Sequence, residues 1–312
     1  MYTRFGKTAD HPNIRGTLKL GSLYEYREME NELMRDPFEG TFSIELELAG
    51  QYSNVWLDAV TFGAMPFGFL GSQLYISFGP YPLGKFGIKG FLSGSVQHLQ
   101  EIERTASHTT LFGKILLNYE HPNSLVLCLS GPKASHKDEE YVNLWQLDER
   151  GAPNFVKYVT DKVMIGLDKL EFKSKNLNDD ILKYHPREIE AQSTFGQVQY
   201  SDRHFIVKDE SEWNLQRLTD IFRHAPFIKT RDFSHEDEYR ILIDFLVPWV
   251  KPPLAAGHKA ILEVKDKLIL PVDLVEFNHA LAGDSRGGHN SLPYKYVLRS
   301  ELPERLLQSV HS

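Results

Sequence analysis

A single cysteine in 312 residues rules out an internal disulfide, so the chain is expected in a reducing compartment, the cytoplasm. Cys128 lies in the apolar run Leu125-Val126-Leu127-Cys128-Leu129 with no adjacent base, which reads as a small buried hydrophobe and not as a nucleophile. Positive charge is scarce too: 35 Lys and Arg against 42 Asp and Glu leave a formal charge of -7. That balance argues against a surface that tracks nucleic acid throughout, so any phosphate site must be local.

Long hydrophobic runs are missing as well. The longest apolar stretch, Ala64 to Leu83, is broken by Pro66, Gly68, Gly71, Gly79, Pro80 and Pro82, so neither a spanning helix nor a membrane partner is expected. The first residues lack the charged and apolar regions of a secretory signal. No Gly-Xaa-Gly-Xaa-Xaa-Gly follows a strand, and no Walker or Gly-Xaa-Ser-Xaa-Gly sequence occurs. Rossmann dehydrogenases, phosphate-loop NTPases and most serine hydrolases are thereby removed. The 13 histidines show no His-Glu-Xaa-Xaa-His or paired-cysteine spacing that would support a metal site.

What remains is ordinary globular composition, 41% hydrophobic and 25% charged, on a chain long enough to bury a sizeable core. We read residues 1–312 as one elaborated α+β body with a polar excursion around residues 166–200. Period-two alternation predicts strands at Tyr2–Phe5, Gly16–Ser22 and Thr41–Leu48, the last with Phe42, Ile44, Leu46 and Leu48 on one face. Further strands are predicted at Leu74–Phe78, Leu125–Ser130, Ala260–Val264 and Leu268–Leu270. Helices are predicted at Leu23–Met34, ended by Asp36-Pro37, at Val96–Leu117, and at Ser211–His224. Trp145, Trp213 and Trp249 are expected in the core. The loop Ala282 to His289 could form an anion nest or a simple turn.

The least ordinary segment is His235-Glu236-Asp237-Glu238-Tyr239-Arg240. Read as a strand from Glu236 to Phe245, it puts Tyr239, Ile241, Ile243 and Phe245 on one face and Glu236, Glu238 and Arg240 on the other. Two carboxylates about 6.5–7 Å apart could act on one substrate, one stabilising a developing cation and the other taking a proton. A solvent-facing strand with mutually compensating charges has the same pattern.

The opening Tyr2-Thr3-Arg4-Phe5, the run from Gly16 through Arg27 with Asp36-Pro37-Phe38-Glu39-Gly40, and Phe233 through Arg240 resemble a widespread bacterial domain family. Its members open with a Tyr-Lys-Tyr-Arg-like strand, carry Asn-Asp-Pro-Phe and end in Glu-Xaa-Glu-Tyr-Arg. That family includes proteins assigned to abortive infection in phage defence and is similar in motif order to the ADP-ribosyltransferase superfamily. The resemblance implies a split, mostly antiparallel sheet with flanking helices and NAD as substrate, cleaved so that ADP-ribose passes to a protein or nucleic-acid acceptor, with a defence-system protein as a further partner. It implies Glu238 as the catalytic carboxylate and Glu236 as the acceptor-activating one. Arg4, Ser22, Tyr24 and Arg240 would bind NAD. The chemistry suits those residue types, since glycosidic cleavage passes through an oxocarbenium-like cation and a guanidinium matches a pyrophosphate. Two alternatives stand beside this reading: an inactive interaction or sensor module of the same fold, and a Mg²⁺-dependent nuclease using Asp36, Glu39, Glu236 and Glu238.

Overall fold

Strand alternation and helix capping account for most of the architecture. The computed structural model describes residues 1–28, 36–61, 73–82, 89–135, 142–173, 189–211, 213–248, 259–283 and 295–298. The chain opens with β1 (Tyr2–Gly6), α1 (Pro12–Arg15), β2 (Thr17–Ser22), α2 (Leu23–Arg27), β3 (Thr41–Ser53), α3 (Asn54–Val60) and β4 (Gln73–Pro82). Next come β5 (Phe91–Arg104), β6 (His108–Glu120), β7 (Leu125–Ser130), β8 (Val142–Leu147), α4 (Ala152–Ile165), β9 (Phe172–Lys173) and β10 (Glu190–Gln197). The rest are β11 (Gln199–Tyr200), β12 (His204–Val207), α5 (Leu215–His224), β13 (Ile228–Lys229), β14 (Glu238–Pro248), β15 (Lys259–Val264), β16 (Leu268–Pro271), α6 (Leu274–Leu281) and β17 (Lys295–Leu298). The protein is thus α+β and mostly antiparallel.

Two compact units are distinguished, a division for which the reading of one elaborated body carried no signal. One holds the described residues within Gly40–Pro122 and Ser201–Ile228. Its five-stranded sheet runs β12-β3-β6-β5-β4, with only β12 parallel to its neighbour. Phe42, Ile44, Leu46 and Leu48 of β3 face the core as their alternation predicts, packed with Trp56, Leu57 and Val60 of α3 and Leu218, Ile221 and Phe222 of α5. Ser53 caps α3 and Asn214 caps α5, each accepting a first-turn N–H.

The helix expected over Val96–Leu117 is instead the β5–β6 hairpin, turned at residues 105–107. A bulge explains the misreading. Register shifts between Gln97 and Gln100, His98 takes a φ of 52°, and Val96 and Leu99 are both buried three residues apart. That spacing imitates a helix face. Gly113 permits the bulge, because a Cβ there would lie 2.6 Å from the His98 carbonyl oxygen.

The other unit holds the described residues within Met1–Glu39, Asn123–Tyr200 and Lys229–Glu301. Its ten-stranded sheet runs β16-β2-β7-β14-β10-β17, with β1 joined to β7 and β8, and β15 joined to β14 and β9. Only the β10–β17 pair is parallel. One face is covered by α4 and α6, whose Phe155, Val159 and Phe277 pack on Leu127, Ile241, Ile243 and Phe245. The sequence reading assigned nothing to α4, although Pro153 opens it and Phe155, Val156, Val159 and Val163 form one buried stripe.

The polar excursion is corrected in part. Residues 190–197 form β10, hydrogen-bonded along β14, because Ala191, Ser193 and Phe195 alternate into the buried side. Residues 174–188 lie outside the described residues, as do Tyr141, Trp249, 284–289 of the glycine loop and the second half of the helix expected over Leu23–Met34. Trp145 and Trp213 are buried as expected.

Candidate functional site

Strand β7 organises the site. β14 runs along one of its edges, with Glu238 opposite Ser130 and Ile243 opposite Leu125. The other edge is shared: β1 meets it at Ser130 and β2 at Leu125. Arg4 and Glu238 therefore come to one end of β7, while Ser22 sits five positions away, about 17 Å along the strand. Ser22 is occupied as the cap of α2, its hydroxyl accepting the Glu25 N–H at 3.2 Å. Tyr24 turns to another buried acid, donating to Glu263 Oε1 at 2.9 Å.

Glu236 does not stand on the strand with Glu238, as the alternation implied. It ends a 3-10 turn, Arg231–Glu236, and Asp237 adopts a left-handed φ of 41° before β14 begins at Glu238. Aspartate tolerates that conformation better than most residues because its short side chain bonds locally. Here Asp237 Oδ2 accepts the Lys133 N–H at 2.9 Å and Oδ1 accepts from Gln197 at 3.1 Å. Gly131 makes room for it, since a Cβ would lie 2.3 Å from Asp237 Oδ2.

The kink brings both glutamates to one cation. Lys229 Nζ lies 2.7 Å from Glu236 Oε2 and 2.9 Å from Glu238 Oε2, with the Phe233 ring 4.8 Å away. Arg240 is clamped in turn. Its Nε and Nη2 donate to Glu238 at 2.6 and 3.1 Å, and its Nη1 and Nη2 donate to Glu39 at 2.5 and 3.1 Å. Arg240 and Glu39 are 1% and 0% exposed, so this guanidinium is spoken for by carboxylates inside the protein. Of the two acids in the turn at residues 36–40, Asp36 serves the turn, its Oδ1 accepting the Phe38 N–H at 3.1 Å, and Glu39 enters the cluster.

Arg4 donates to the Cys128 carbonyl at 2.6 Å. The Cys128 thiol, 3.3 Å from the Tyr26 hydroxyl, is pushed far up by burial and by the Glu238 charge. It is thereby kept protonated and non-nucleophilic.

The two glutamates are driven apart electrostatically. Burial lifts Glu236 to about 7, helped by the Glu238 charge and opposed by Lys229. Burial also penalises ionised Glu238, but Arg240 and Lys229 outweigh it and hold this carboxyl well below the usual range. Lys229 stays charged, since Glu238 and Glu39 overcome its burial. One carboxylate is therefore fixed as an anion while its neighbour titrates near neutrality, the pattern that separates an electrostatic stabiliser from an acid-base group.

Sequence reasoning missed Lys229 and Tyr200, whose hydroxyl accepts the Glu238 N–H at 2.8 Å. A lone lysine closing the apolar run Ala225-Pro226-Phe227-Ile228 is the signal for the first, because a buried ammonium requires carboxylate partners. Among the described residues, no group of three or more His, Cys, Asp or Glu side chains is arranged to hold a metal ion, and none of the helices is long and apolar enough to cross a membrane. No family model, curated protein or solved structure matches this chain.

Proposed function

We propose that the protein is an ADP-ribosyltransferase-like enzyme that cleaves NAD at the nicotinamide bond and transfers ADP-ribose to a protein or nucleic-acid acceptor, as an abortive-infection effector would. The observation that carries this reading is the convergence of Glu236 and Glu238 on Lys229, at 2.7 and 2.9 Å, in surroundings that favour ionised Glu238 and push Glu236 up. Glu238, permanently anionic, stabilises the oxocarbenium-like cation that forms as nicotinamide leaves. Glu236, poised near neutrality, takes the proton from the attacking acceptor hydroxyl. Lys229 and Arg240 position the pair, and Arg4, whose strand meets β7 at the same end as Glu238, is the cation assigned to a phosphate. Ser22 and Tyr24 support the fold in this reading. A mostly antiparallel sheet bearing Arg4 on its first strand and Glu238 on a late one suits an ADP-ribosyltransferase-like topology.

The bidentate grip of Arg240 on Glu238 favours a second reading, in which the cluster is a buried fastener and the protein an interaction or sensor module. Incubation with NAD labelled in its nicotinamide and adenylate parts, with and without lysate and nucleic acid, separates the two. The enzyme reading expects nicotinamide release in the wild type and its loss in Glu238→Gln and in the more exposed Glu236→Gln. Equal release by wild type and both folded variants would sink it.

A further inference from the structure

Tyr200 ends β11 beside the two glutamates, and its hydrogen bonding is incomplete. Its oxygen accepts the Glu238 N–H at 2.8 Å, which leaves the phenolic proton to be donated, and among the described residues no acceptor takes it. Burial and then the Glu238 charge raise this phenol's pKa, with Glu236 adding to the effect, so the group remains a neutral donor. The adjoining Glu236 is the member of the cluster that reaches solvent, with 19% of its side chain exposed. Ionised, as its role as a base requires, Glu236 can only accept, and a phenol whose oxygen is already engaged serves best as a donor. A single ligand atom that answers both must accept one hydrogen bond and donate another. A hydroxyl oxygen does this; a phosphate oxygen or an apolar ring does not.

We propose that Tyr200 is a substrate-binding residue whose O–H donates to a hydroxyl oxygen on the ribose carrying the leaving base, while that hydroxyl donates to Glu236. This inference rests on the NAD reading above and names a contact within it. The side chain sets which sugar is accepted: a ribose lacking the contacted hydroxyl leaves both protein groups unanswered.

The test uses the full chain as wild type, Tyr200→Phe and Glu238→Gln, with NAD and with analogues lacking the 2′- or the 3′-hydroxyl of the nicotinamide ribose. On NAD, Tyr200→Phe should lower kcat/KM at least tenfold. On one of the two analogues, wild type and Tyr200→Phe should agree within twofold, because the contact is already gone. Unchanged kcat/KM on NAD, or the same fold loss on NAD and both analogues, overturns the assignment while leaving the enzyme reading intact. No nicotinamide release from NAD by the wild type removes the enzyme reading and this inference with it. Should Tyr200→Phe fail to fold, 3,5-difluorotyrosine placed at position 200 keeps the oxygen and acidifies its proton. It should make kcat/KM fall on the alkaline side at a lower pH than in the wild type, and a profile identical to wild type overturns the proposal.

Discussion

Replacing Glu236 with glutamine should change how stability depends on pH. In the folded chain this carboxyl titrates at about 7, against 4.5 for the free group. Between those values the folded state keeps a proton that the unfolded state has released, so unfolding becomes easier as pH rises. At about 1.4 kcal/mol per pH unit, the shift from 4.5 to about 7 amounts to a loss of about 3 kcal/mol, complete once pH passes the folded value. Glu238 titrates below this window and Lys229 above it, and the histidines are common to both proteins. Glutamine carries no such proton, so the difference between the wild-type and Glu236→Gln curves isolates the glutamate. Urea unfolding followed by tryptophan fluorescence at half-unit steps from pH 4 to 8 measures it. Wild type should lose about 3 kcal/mol relative to the variant across that range. Parallel curves would refute both the raised pKa and the acid-base role built on it.

Three further perturbations test the packing around the site. Glu39→Ala removes one of the two carboxylates that grip the buried Arg240 guanidinium and should cost about 3–5 kcal/mol in chemical denaturation; a change under 1 kcal/mol would mean that water replaces the carboxylate. Gly131→Ala places a methyl 2.3 Å from Asp237 Oδ2 and should lower the melting temperature at a cost of about 1–3 kcal/mol, with Glu236→Gln-like loss of activity as the kink shifts. Tyr158→Phe removes a buried hydroxyl that has no hydrogen-bond partner among the described residues and should stabilise the protein by about 1 kcal/mol, seen as a higher urea midpoint with unchanged activity.

Regular alternation was legible wherever the backbone stayed regular. Phe42, Ile44, Leu46 and Leu48, and likewise Tyr239, Ile241, Ile243 and Phe245, each share one side packed into a core, because a strand of ideal pleat needs nothing but local order. Legibility failed where one residue broke the phase. The His98 bulge turned two strands into an apparent helix, and the left-handed Asp237 moved Glu236 off the strand that its spacing with Glu238 implied. Neither left-handed residue is itself a glycine, and the glycines that make room for them, Gly113 and Gly131, lie on a neighbouring strand or loop and not beside them in sequence. Glu238 was visible as a candidate, but its company was not. Lys229 arrives from a separate strand and Glu39 from a turn 201 positions away from Arg240, and pairings that distant leave no trace in local pattern.

That separation has a consequence for the chain as it is made. The clamp on Arg240 needs Glu39 from an early segment and Glu238 from a late one, and β7, between them in sequence, has β14 along one whole edge. A nascent chain that has emerged only as far as β12 holds Arg4, Glu39 and Cys128 without Glu236, Glu238 or the lysine that joins them. Topology of this kind delays assembly until most of the chain is available. Any activity of the cluster is thereby withheld from shorter products, so a cell making this protein is exposed to it only after the chain has been translated through β14 and that strand has paired with β7.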